Sequence, residues 1–344
     1  MSLAPVPTLA VGLHPDRPLT EVGDLAVSAE RLGFEALWIA DSQSLFRDAY
    51  AALALAAERT SAIRLGTGVT NPITRHPAVI AGGLGSLAEL AGPGRMVLGI
   101  GTGETAVESI GRKRATIARM EETARVVRGL QSGAEVEHGE ATLRLGWPSP
   151  TVPIVFASSG PKSLRAAGRS GDGVYLKLGV HPEVLGWARD RLAEGRGDAG
   201  TTMEGYRVHA MVPVAVDDDP AAARDEVRGF AAAIARAAAR AIPPEHLPAE
   251  LGELIAELER VSSEARERQS YVEWLHSPEY AQLIPDEIVR SFAIAGTAEE
   301  VARRVVELGA HGIDEVIAPL TMADPAPVLE RIGTDVLPLL RASA

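Results

Sequence analysis

The sequence predicts an α/β fold, a (β/α)8 TIM barrel with an inserted helical segment near the C-terminal face. Short apolar runs of β type alternate with amphipathic helical stretches along the whole 344-residue chain. That alternation is typical of a parallel sheet buried on both faces. Eight strand–helix units close naturally into a barrel, whereas a doubly wound sheet more often stops at five or six strands. We therefore expect one barrel domain over residues 1–344, with the insertion at about 242–291.

The individual elements follow from the same pattern. The apolar runs predict strands at residues 8–13, 35–40, 63–69, 95–101, 152–157, 173–177, 206–216 and 314–318. The amphipathic stretches predict helices at residues 19–32, 47–59, 77–90, 115–130, 161–168, 182–193, 220–241, 297–308 and 324–340. Several of these helices begin with proline, which is favoured at the first helical position because its missing N–H costs nothing there.

Two segments interrupt the repeat. Residues 134–147 carry short alternating patches and predict a small hairpin before the fifth strand. Residues 242–291 open with Pro243 and Pro244 and hold a charged helical stretch at 250–268. Inserted loops over the C-terminal strand ends cap barrel active sites, so we expect this insertion to cover something. It also contributes three aromatic residues, Tyr271, Trp274 and Tyr280.

Composition excludes several classes of protein. A hydrophobic content of 46% supports a large packed core, and the absence of cysteine excludes disulfides, thiolate nucleophiles and cysteine metal sites. A net charge of −12 and 4% aromatic residues argue against a nucleic-acid partner. The first residues lack the features of a signal peptide, and no apolar run is long enough to span a membrane. We expect a cytoplasmic protein with no nucleic-acid or membrane partner and, because its eight histidines are scattered, no metal.

Barrel active sites assemble from residues just past the C-terminal ends of the strands. This rule selects His14, Asp41 with Ser42, and the strand-end segments 68–76, 101–104, 157–162 and 177–181. Asp41 ends an apolar strand, where it is either a ligand anchor or a simple helix cap.

The clearest of these segments reads A-S-S-G-P-K. Ala157, Ser158, Ser159, Gly160 and Pro161 follow an apolar strand and open a helix. Hydroxyls and free backbone N–H groups at a positive helix N-terminus suit a phosphate group. A serine cap with a glycine turn explains the same residues equally well.

A second segment, G-I-G-T-G-E, ends the fourth strand. The Rossmann fingerprint fails here because its third glycine is Glu104. The glycines, with Thr102 beside Gly103, still permit close backbone approach to a flat ring, and Glu104 could act as a general acid or base. The alternative is a glycine-rich strand end with a helix-capping glutamate.

A third segment, L-G-T-G-V-T-N-P-I-T-R-H-P, ends the third strand. Glycines inside a strand pattern, here Gly66 and Gly68, indicate a bulge or a close approach to a ligand. Arg75 and His76 could contact an anionic group, or they could belong to a solvated loop before the next helix.

In this order and spacing, the three segments resemble the luciferase-like monooxygenase superfamily, in particular its branch dependent on the deazaflavin coenzyme F420. The chain is similar to 5,10-methylenetetrahydromethanopterin reductase-like oxidoreductases. The resemblance continues through G-D-G-V at 171–174, F-A-I-A-G-T-A-E-E-V at 292–301 and G-I-D-E-V-I at 312–317. It covers most of the chain.

The resemblance implies a (β/α)8 barrel that holds the deazaflavin ring at its C-terminal mouth, and it implies homodimers. It also places a non-prolyl cis peptide behind the ring at Gly68–Val69. The residues implied to bind the cofactor ring are Asp41, Gly68, Val69, Thr70, Asn71, Thr102, Gly103 and Glu104. Those implied to hold its phosphate are Ala157, Ser158, Ser159, Gly160 and Pro161. Glu104 also matches the carboxylate proposed as acid/base in the related sugar-phosphate dehydrogenases.

At two places the sequence departs from these related enzymes, and both departures concern the choice of substrate. Where the sugar-phosphate dehydrogenases have His after the second-strand Asp and Trp four residues on, this chain has Ser42 and Phe46. The glutamate that the methanogenic reductases place near the end of the first strand is missing, while His14 stands nearby. Neither a sugar phosphate nor a pterin substrate is carried over.

The function that this resemblance implies is hydride transfer between F420 and a small organic substrate such as a ketone, imine or activated alkene. Glu104 would move the proton, with His14 and Ser42 as the other catalytic candidates. The first alternative is an FMN-dependent luciferase-like monooxygenase, because both cofactors carry a phosphate. The second is a non-redox phosphate-ligand barrel or a catalytically inactive binding protein.

Overall fold

The computed structural model describes residues 5–265, 283–322 and 324–343. Its strands are β1 (Thr8–Leu13), β2 (Ala36–Ile39), β3 (Arg64–Thr67), β4 (Met96–Ile100), β5 (Val136–His138), β6 (Ala141–Leu143), β7 (Ile154–Ser158), β8 (Gly173–Leu176), β9 (Arg207–Met211), β10 (Val214–Val216), β11 (Ile294–Gly296) and β12 (Glu315–Leu320). Eight of these described strands close a parallel barrel in the order β1-β2-β3-β4-β7-β8-β9-β12, with β12 pairing back to β1. The prediction of a (β/α)8 barrel is confirmed.

The helices surround this barrel. They are α1 (Leu19–Leu32), α2 (Ala49–Arg59), α3 (Pro77–Ala91), α4 (Thr105–Glu108), α5 (Ile117–Gln131), α6 (Pro161–Ser170), α7 (Pro182–Asp198), α8 (Pro220–Ala241), α9 (Ala249–Ala265), α10 (Asp286–Phe292), α11 (Ala298–Ala310), α12 (Ala326–Arg331) and α13 (Leu337–Ser343). A 3-10 turn, Pro244–His246, precedes α9, and a π-helical turn, Ile332–Val336, joins α12 to α13. No helix in the described ranges is long and apolar enough to cross a membrane.

Local sequence signals determine where the helices begin. Asp48 caps α2 by accepting a hydrogen bond from the Ala51 N–H at 2.9 Å. Thr297 and Glu300 form a reciprocal capping box at the start of α11. Proline occupies the start of α3, α6, α7 and α8, as the sequence predicts.

Along each barrel strand, successive side chains point alternately into the barrel interior and outward toward the helices. The outward side chains join the helices in the main apolar core. The inward side chains form a second, smaller cluster around Trp38 and Tyr175. Because the alternation continues past the strand ends, it also determines which residues face the mouth of the barrel.

A charged cluster lies inside the barrel, where the sequence analysis predicts none. Glu315, at 0% exposure, accepts hydrogen bonds from Trp38 Nε1 at 2.9 Å and from an Arg64 guanidinium nitrogen at 2.5 Å. Its carboxylate also lies 2.9 Å from His209 Nδ1. Burial alone would raise the pKa of Glu315, but the bond from His209 and the charges of His209 and Arg64 outweigh it and lower the pKa to about 2.

One predicted strand is divided, and the predicted hairpin is present. The single strand expected at 206–216 is split into β9 and β10, because Pro213 between them has no N–H to donate. The Pro213 carbonyl instead accepts from the Ile294 N–H at 2.9 Å, and β10 pairs with β11 in a separate parallel sheet. The hairpin predicted within 134–147 is confirmed as the antiparallel pair β5 and β6.

The segment predicted as an insertion holds the 3-10 turn, α9 and α10. Buried side chains of α9 join the main core, among them Leu251, Ile255 and Leu258. Tyr271, Trp274 and Tyr280 lie outside the described residues. The idea that this insertion covers the mouth stays a prediction.

Candidate active site

Small residues surround the mouth of the barrel. The inward register of β4 continues to Gly101, and that of β7 reaches Ala157. A Cβ atom on Gly101 would lie 2.9 Å from Val69 Cγ2 and 3.3 Å from the Ala157 Cβ. Glycine is needed at this position because the Val69 side chain occupies the space above it. Val69 is only partly buried, so its outer side forms an apolar floor that a planar group could contact.

The bulge that carries Val69 interrupts the third barrel strand. The Gly68–Val69 peptide bond is cis, as the family resemblance implies. Regular pairing resumes at Thr70, whose N–H donates to the Gly99 carbonyl and whose carbonyl accepts from the Gly101 N–H, both at 2.9 Å. Thr70, which follows the bulge, is therefore tied to β4 through both its N–H and its carbonyl.

Asp41 is buried beneath this bulge at 6% exposure. Its Oδ2 accepts a hydrogen bond from Thr70 Oγ1 at 2.7 Å and from Arg75 Nε at 3.2 Å. Arg75 also donates to Asp48 Oδ2 at 2.7 Å, and burial of the guanidinium is outweighed by its two carboxylate partners, which raise the pKa of Arg75. Arg75, a candidate for binding an anion, is thus engaged by carboxylates of the protein itself.

Asn71 holds a buried donor that lacks an acceptor. The side chain is 1% exposed, and its Oδ1 accepts from the N–H groups of Ile73 at 3.0 Å and Thr74 at 2.9 Å. No atom in the described ranges accepts from its Nδ2. A buried donor left unsatisfied costs roughly 1–3 kcal/mol, so an acceptor supplied to Nδ2 would recover that cost.

Gly103 brings the fourth strand end against this side chain. Its φ is 77°, a conformation that favours glycine, and a Cβ there would lie 2.8 Å from Asn71 Cγ. Thr102 precedes it and accepts a hydrogen bond from the Ala115 N–H at 2.8 Å. The structure therefore brings the candidate residues of the third and fourth strand ends together.

Glu104 lies at the rim of the mouth, where it begins α4. Its side chain is 57% exposed and pairs with Arg114 at 2.8 Å. Arg114 also pairs with Glu108 at 2.7 Å. Glu104 is therefore open to solvent and paired with a cation, and it does not lie in apolar surroundings.

The two other catalytic candidates lie just past the first two strands: His14 follows β1, and Ser42 follows β2 by three residues. The His14 ring stacks on Phe46 with 4.7 Å between centroids and 7° between the planes. Burial, assisted by the nearby charge of Lys177, lowers the pKa of His14 to about 4, although Asp16 opposes this shift. His14 is therefore neutral at pH 7. The Ser42 carbonyl accepts from the N–H groups of Leu45 and Phe46, both at 2.9 Å.

The serine turn is partly engaged in its own structure. Ser158 Oγ donates to the Ser163 carbonyl, and the Gly160 N–H donates to Ser163 Oγ, each at 3.1 Å. Pro161 is the first residue of α6. The partly buried Ser159 hydroxyl makes no hydrogen bond within the described part of the chain, so it and the start of α6 remain available to an anion.

One residue of the mouth received no role from the sequence. Lys177 directly follows β8, and the alternation that points Tyr175 inward points Lys177 into the mouth. Its Nζ lies 5.7 Å from the centre of the Phe230 ring on α8. It falls within the strand-end segment 177–181 selected from the sequence, and the inward register is the signal that distinguishes it within that segment.

A cavity of about 780 Å³ opens beside the turn that holds Asn71. That volume is within the usual range for cofactor and substrate pockets. Its lining comes from the loops after β2, β3 and β4 and from α5: Gln43, Ile73, Thr74, Ile110, Gly111, Arg112, Lys113 and Arg119. Among the described residues, no three His, Asp or Glu side chains are arranged to hold a metal ion.

Proteins of named activity are similar to this chain over nearly its whole length. It is 31% identical over 336 residues to 5,10-methylenetetrahydromethanopterin reductase of Archaeoglobus fulgidus, with 95% of this chain and 98% of that protein covered. It is 30% identical over 351 residues to F420-dependent glucose-6-phosphate dehydrogenase of Intrasporangium calvum, with 93% and 95% covered.

The fold is shared with a solved structure as well. The coenzyme F420-dependent tetrahydromethanopterin reductase from Methanopyrus kandleri superimposes with a TM-score of 0.82 at 25% sequence identity, covering 97% of this chain and 99% of that one. The family model described as luciferase-like monooxygenase matches residues 4–315. With nearly the whole chain matched in sequence and in fold, the protein belongs to the luciferase-like monooxygenase family.

Proposed function

We propose that this protein is a coenzyme F420-dependent oxidoreductase that transfers hydride between the deazaflavin and a small electrophilic organic substrate. A ketone, an imine or an activated alkene would each accept hydride. The relatives support the cofactor and the redox class, since they carry the names of F420-dependent enzymes. When bound, the deazaflavin supplies the hydride chemistry, and the protein supplies orientation, electrostatics and exclusion of water.

The residues at the mouth fit a planar group that bears a phosphate. The observation that carries the proposal is the buried, unpartnered Nδ2 of Asn71, which follows the partly buried Val69 by two residues in the same bulged strand end. Val69 would support one face of the ring, and Asn71 would donate a hydrogen bond to an acceptor at its edge. Ser159 and the N-terminus of α6 would hold the phosphate.

Proton movement is proposed for Glu104. When hydride adds to the carbon of a carbonyl or imine, the π-bond electrons move to the oxygen or nitrogen, which must then take up a proton. Glu104 lies at the rim and is open to solvent, so it can regain a proton after each turnover. His14 and Ser42 remain the secondary candidates, and neutral His14 could position a substrate oxygen through its ring N–H.

Titration with the two cofactors tests this assignment. Purified protein is mixed with F420 or with FMN, and binding is followed by the change in cofactor fluorescence. We expect saturable binding of F420, weakened at least tenfold by Asn71→Asp, which retains the Oδ1 acceptor but removes the donor. Preference for FMN would move the protein to the monooxygenase alternative, and binding of neither cofactor would favour a non-redox barrel.

We also propose a homodimer that forms through helix α3. This helix has one charged residue, Glu89, among its 15 residues, and it exposes Val79 at 57% and Leu90 at 48%. Gly82 lies between them with open space where a Cβ would be. Such an apolar outer face is unusual for a solvated helix and suits close approach of a second copy.

A further inference from the structure

Lys177 is a cation inside the mouth of a closed barrel. Because Tyr175 faces the barrel interior, the residue two positions later also faces inward, one layer nearer the opening. Lys177 is partly buried, and its Nζ lies 5.7 Å from the centre of the Phe230 ring. The register therefore places the side chain on the inner face of the barrel, at its mouth.

This ammonium has no direct counter-ion. Over the ranges that the structure describes, its Nζ makes no hydrogen bond and no ion pair. Two charged groups act on it: Glu104 favours the protonated form, whereas Arg240, together with the burial of the side chain, opposes it. The largest effect is burial, so the pKa of Lys177 is lowered. His14, which also faces it, is neutral at pH 7.

Lysine is rare in this sequence. The chain has three lysines, Lys113, Lys162 and Lys177, against 31 arginines. Nearly every other cationic position of the chain is therefore arginine, including all those in the ion pairs described above. A lysine retained in the mouth offers a compact ammonium that titrates on burial, whereas arginine is larger and always charged.

We propose that Lys177 binds a carboxylate group of the substrate, so that the electrophile reduced or formed at this site is an organic monocarboxylate. That this carboxylate belongs to a substrate rests on the proposed function, whereas the anion site at Lys177 does not. An unpaired ammonium in a partly dry mouth gains a charge-assisted hydrogen bond when an anion binds. The same contact would orient the rest of the molecule toward the ring.

The local charges favour a monoanion. Lys177 and Arg240 each contribute one positive charge, His14 contributes none, and Glu104 contributes one negative charge at the rim. A phosphate dianion is normally held by several donors or by a helix N-terminus, and α6 already offers that to the cofactor phosphate. A single carboxylate balances the mouth without excess negative charge.

Three lysines make a direct spectroscopic test practical. In protein labelled with ¹³C and ¹⁵N lysine, the side-chain spectrum should hold three sets of signals, and the set missing in Lys177→Met belongs to Lys177. Propionate is then titrated into the full-length protein, with and without F420. We expect the Lys177 signals to shift and saturate, while those of Lys113 and Lys162 stay in place.

Matched probes and variants identify the interaction. Propionamide, which has the same shape without the charge, should leave the Lys177 signals unmoved, and inorganic phosphate should bind at least tenfold more weakly than propionate. Calorimetry should give at least a tenfold loss of propionate affinity in Lys177→Met and a partial recovery in Lys177→Arg. Arg303→Met removes one positive charge from an exposed site on α11 and should change nothing.

The pH dependence distinguishes binding from a structural role. Propionate should bind most tightly while Lys177 is protonated, and its affinity should fall about tenfold per pH unit above the lowered pKa of Lys177. Bound propionate should in turn raise that pKa in the lysine spectrum. A pKa that propionate leaves unmoved would contradict the proposal.

Failure of the carboxylate site and failure of the proposed function give different results. If F420 binds but propionate shifts no Lys177 signal, or if propionamide acts equally, the carboxylate site is wrong and the proposed function survives. If propionate binds at Lys177 but F420 does not bind, the site stands and the redox assignment is wrong.

Discussion

The Thr70 hydroxyl donates to the buried carboxylate of Asp41 across 2.7 Å. This bond joins the bulge of the third barrel strand to the end of the second strand. Arg75 reinforces it from the following loop by donating to the same carboxylate oxygen at 3.2 Å. The position of the apolar floor at Val69 thus depends on the polar network formed by Asp41, Thr70 and Arg75.

Removing the Thr70 hydroxyl should loosen this network. Thr70→Val keeps the shape of the side chain but leaves the buried Asp41 oxygen with one donor fewer, a loss of about 1–3 kcal/mol in unfolding free energy. We expect weaker F420 binding as well, because the bulge would move. Urea unfolding and cofactor titration measure the two effects. Thr202→Val, at an exposed turn, serves as the control and should cost less than about 0.5 kcal/mol.

Gly101→Ala should displace the floor itself. Its new methyl group would meet Val69 Cγ2 at 2.9 Å, closer than ordinary van der Waals contact, and overpacking of this kind costs about 1–3 kcal/mol. We expect a lower melting temperature together with weaker F420 binding. Gly186→Ala is the matched control, since nothing lies within 4 Å of its Cβ and alanine favours a helix. That variant should be stabilised by about 0.5–1 kcal/mol and should bind F420 normally.

The proton role of Glu104 can be separated from its ion pair. Glu104→Gln should retain F420 binding and lose at least tenfold in turnover, because the amide cannot deliver a proton. Glu108 pairs with the same Arg114 and is similarly exposed, so Glu108→Gln removes an equivalent charge without the proposed role. Steady-state kinetics measure the turnover of both variants. Equal turnover in the two would remove Glu104 from the mechanism.

Local signals in the sequence predict much of the architecture. Helix α8 begins and ends at the predicted residues, 220 and 241, because Asp219 caps it by accepting from the Ala221 N–H at 2.9 Å and proline follows directly. The three glycine and serine segments likewise fall at strand ends, as the strand–helix alternation requires. The cis bond at Gly68–Val69 came from the family resemblance, since no local rule predicts it.

Pairings between distant strands are not visible in the sequence. The partners of Glu315 come from β2, β3 and β9, and only closure of the barrel brings them together. The engagement of Arg75 by Asp41 and Asp48 has the same origin. The exposure of Glu104 depends on how far α4 projects from the barrel. The order of residue types along the chain does not predict that distance.

The buried Glu315 should make stability depend on pH. Its folded pKa of about 2 lies below the ordinary value of 4.5, so the ionised carboxylate adds stability above pH 4.5 that is lost as the pH falls toward 2. The shift corresponds to about 3 kcal/mol. Glu315→Gln should lose about that much at pH 7, and the difference between the two proteins should shrink as the pH falls. Urea unfolding at pH 7, 5, 4 and 3 measures it, and a difference constant across this range would contradict the assignment.

The apolar face of α3 should determine the oligomeric state. Val79 and Leu90 are separated by three helical turns on the same side, with Gly82 between them, so a second copy can pack closely along the whole stripe. Leu90→Glu places a like charge from each copy near a two-fold interface, where repulsion and desolvation both oppose association. We expect light scattering to give twice the monomer mass for the wild type and the monomer mass for Leu90→Glu. Leu45→Glu is the control, because Leu45 is equally exposed but lies in the loop before α2. A wild-type monomer, or a dimer that survives Leu90→Glu and Val79→Glu together, would move the interface away from α3.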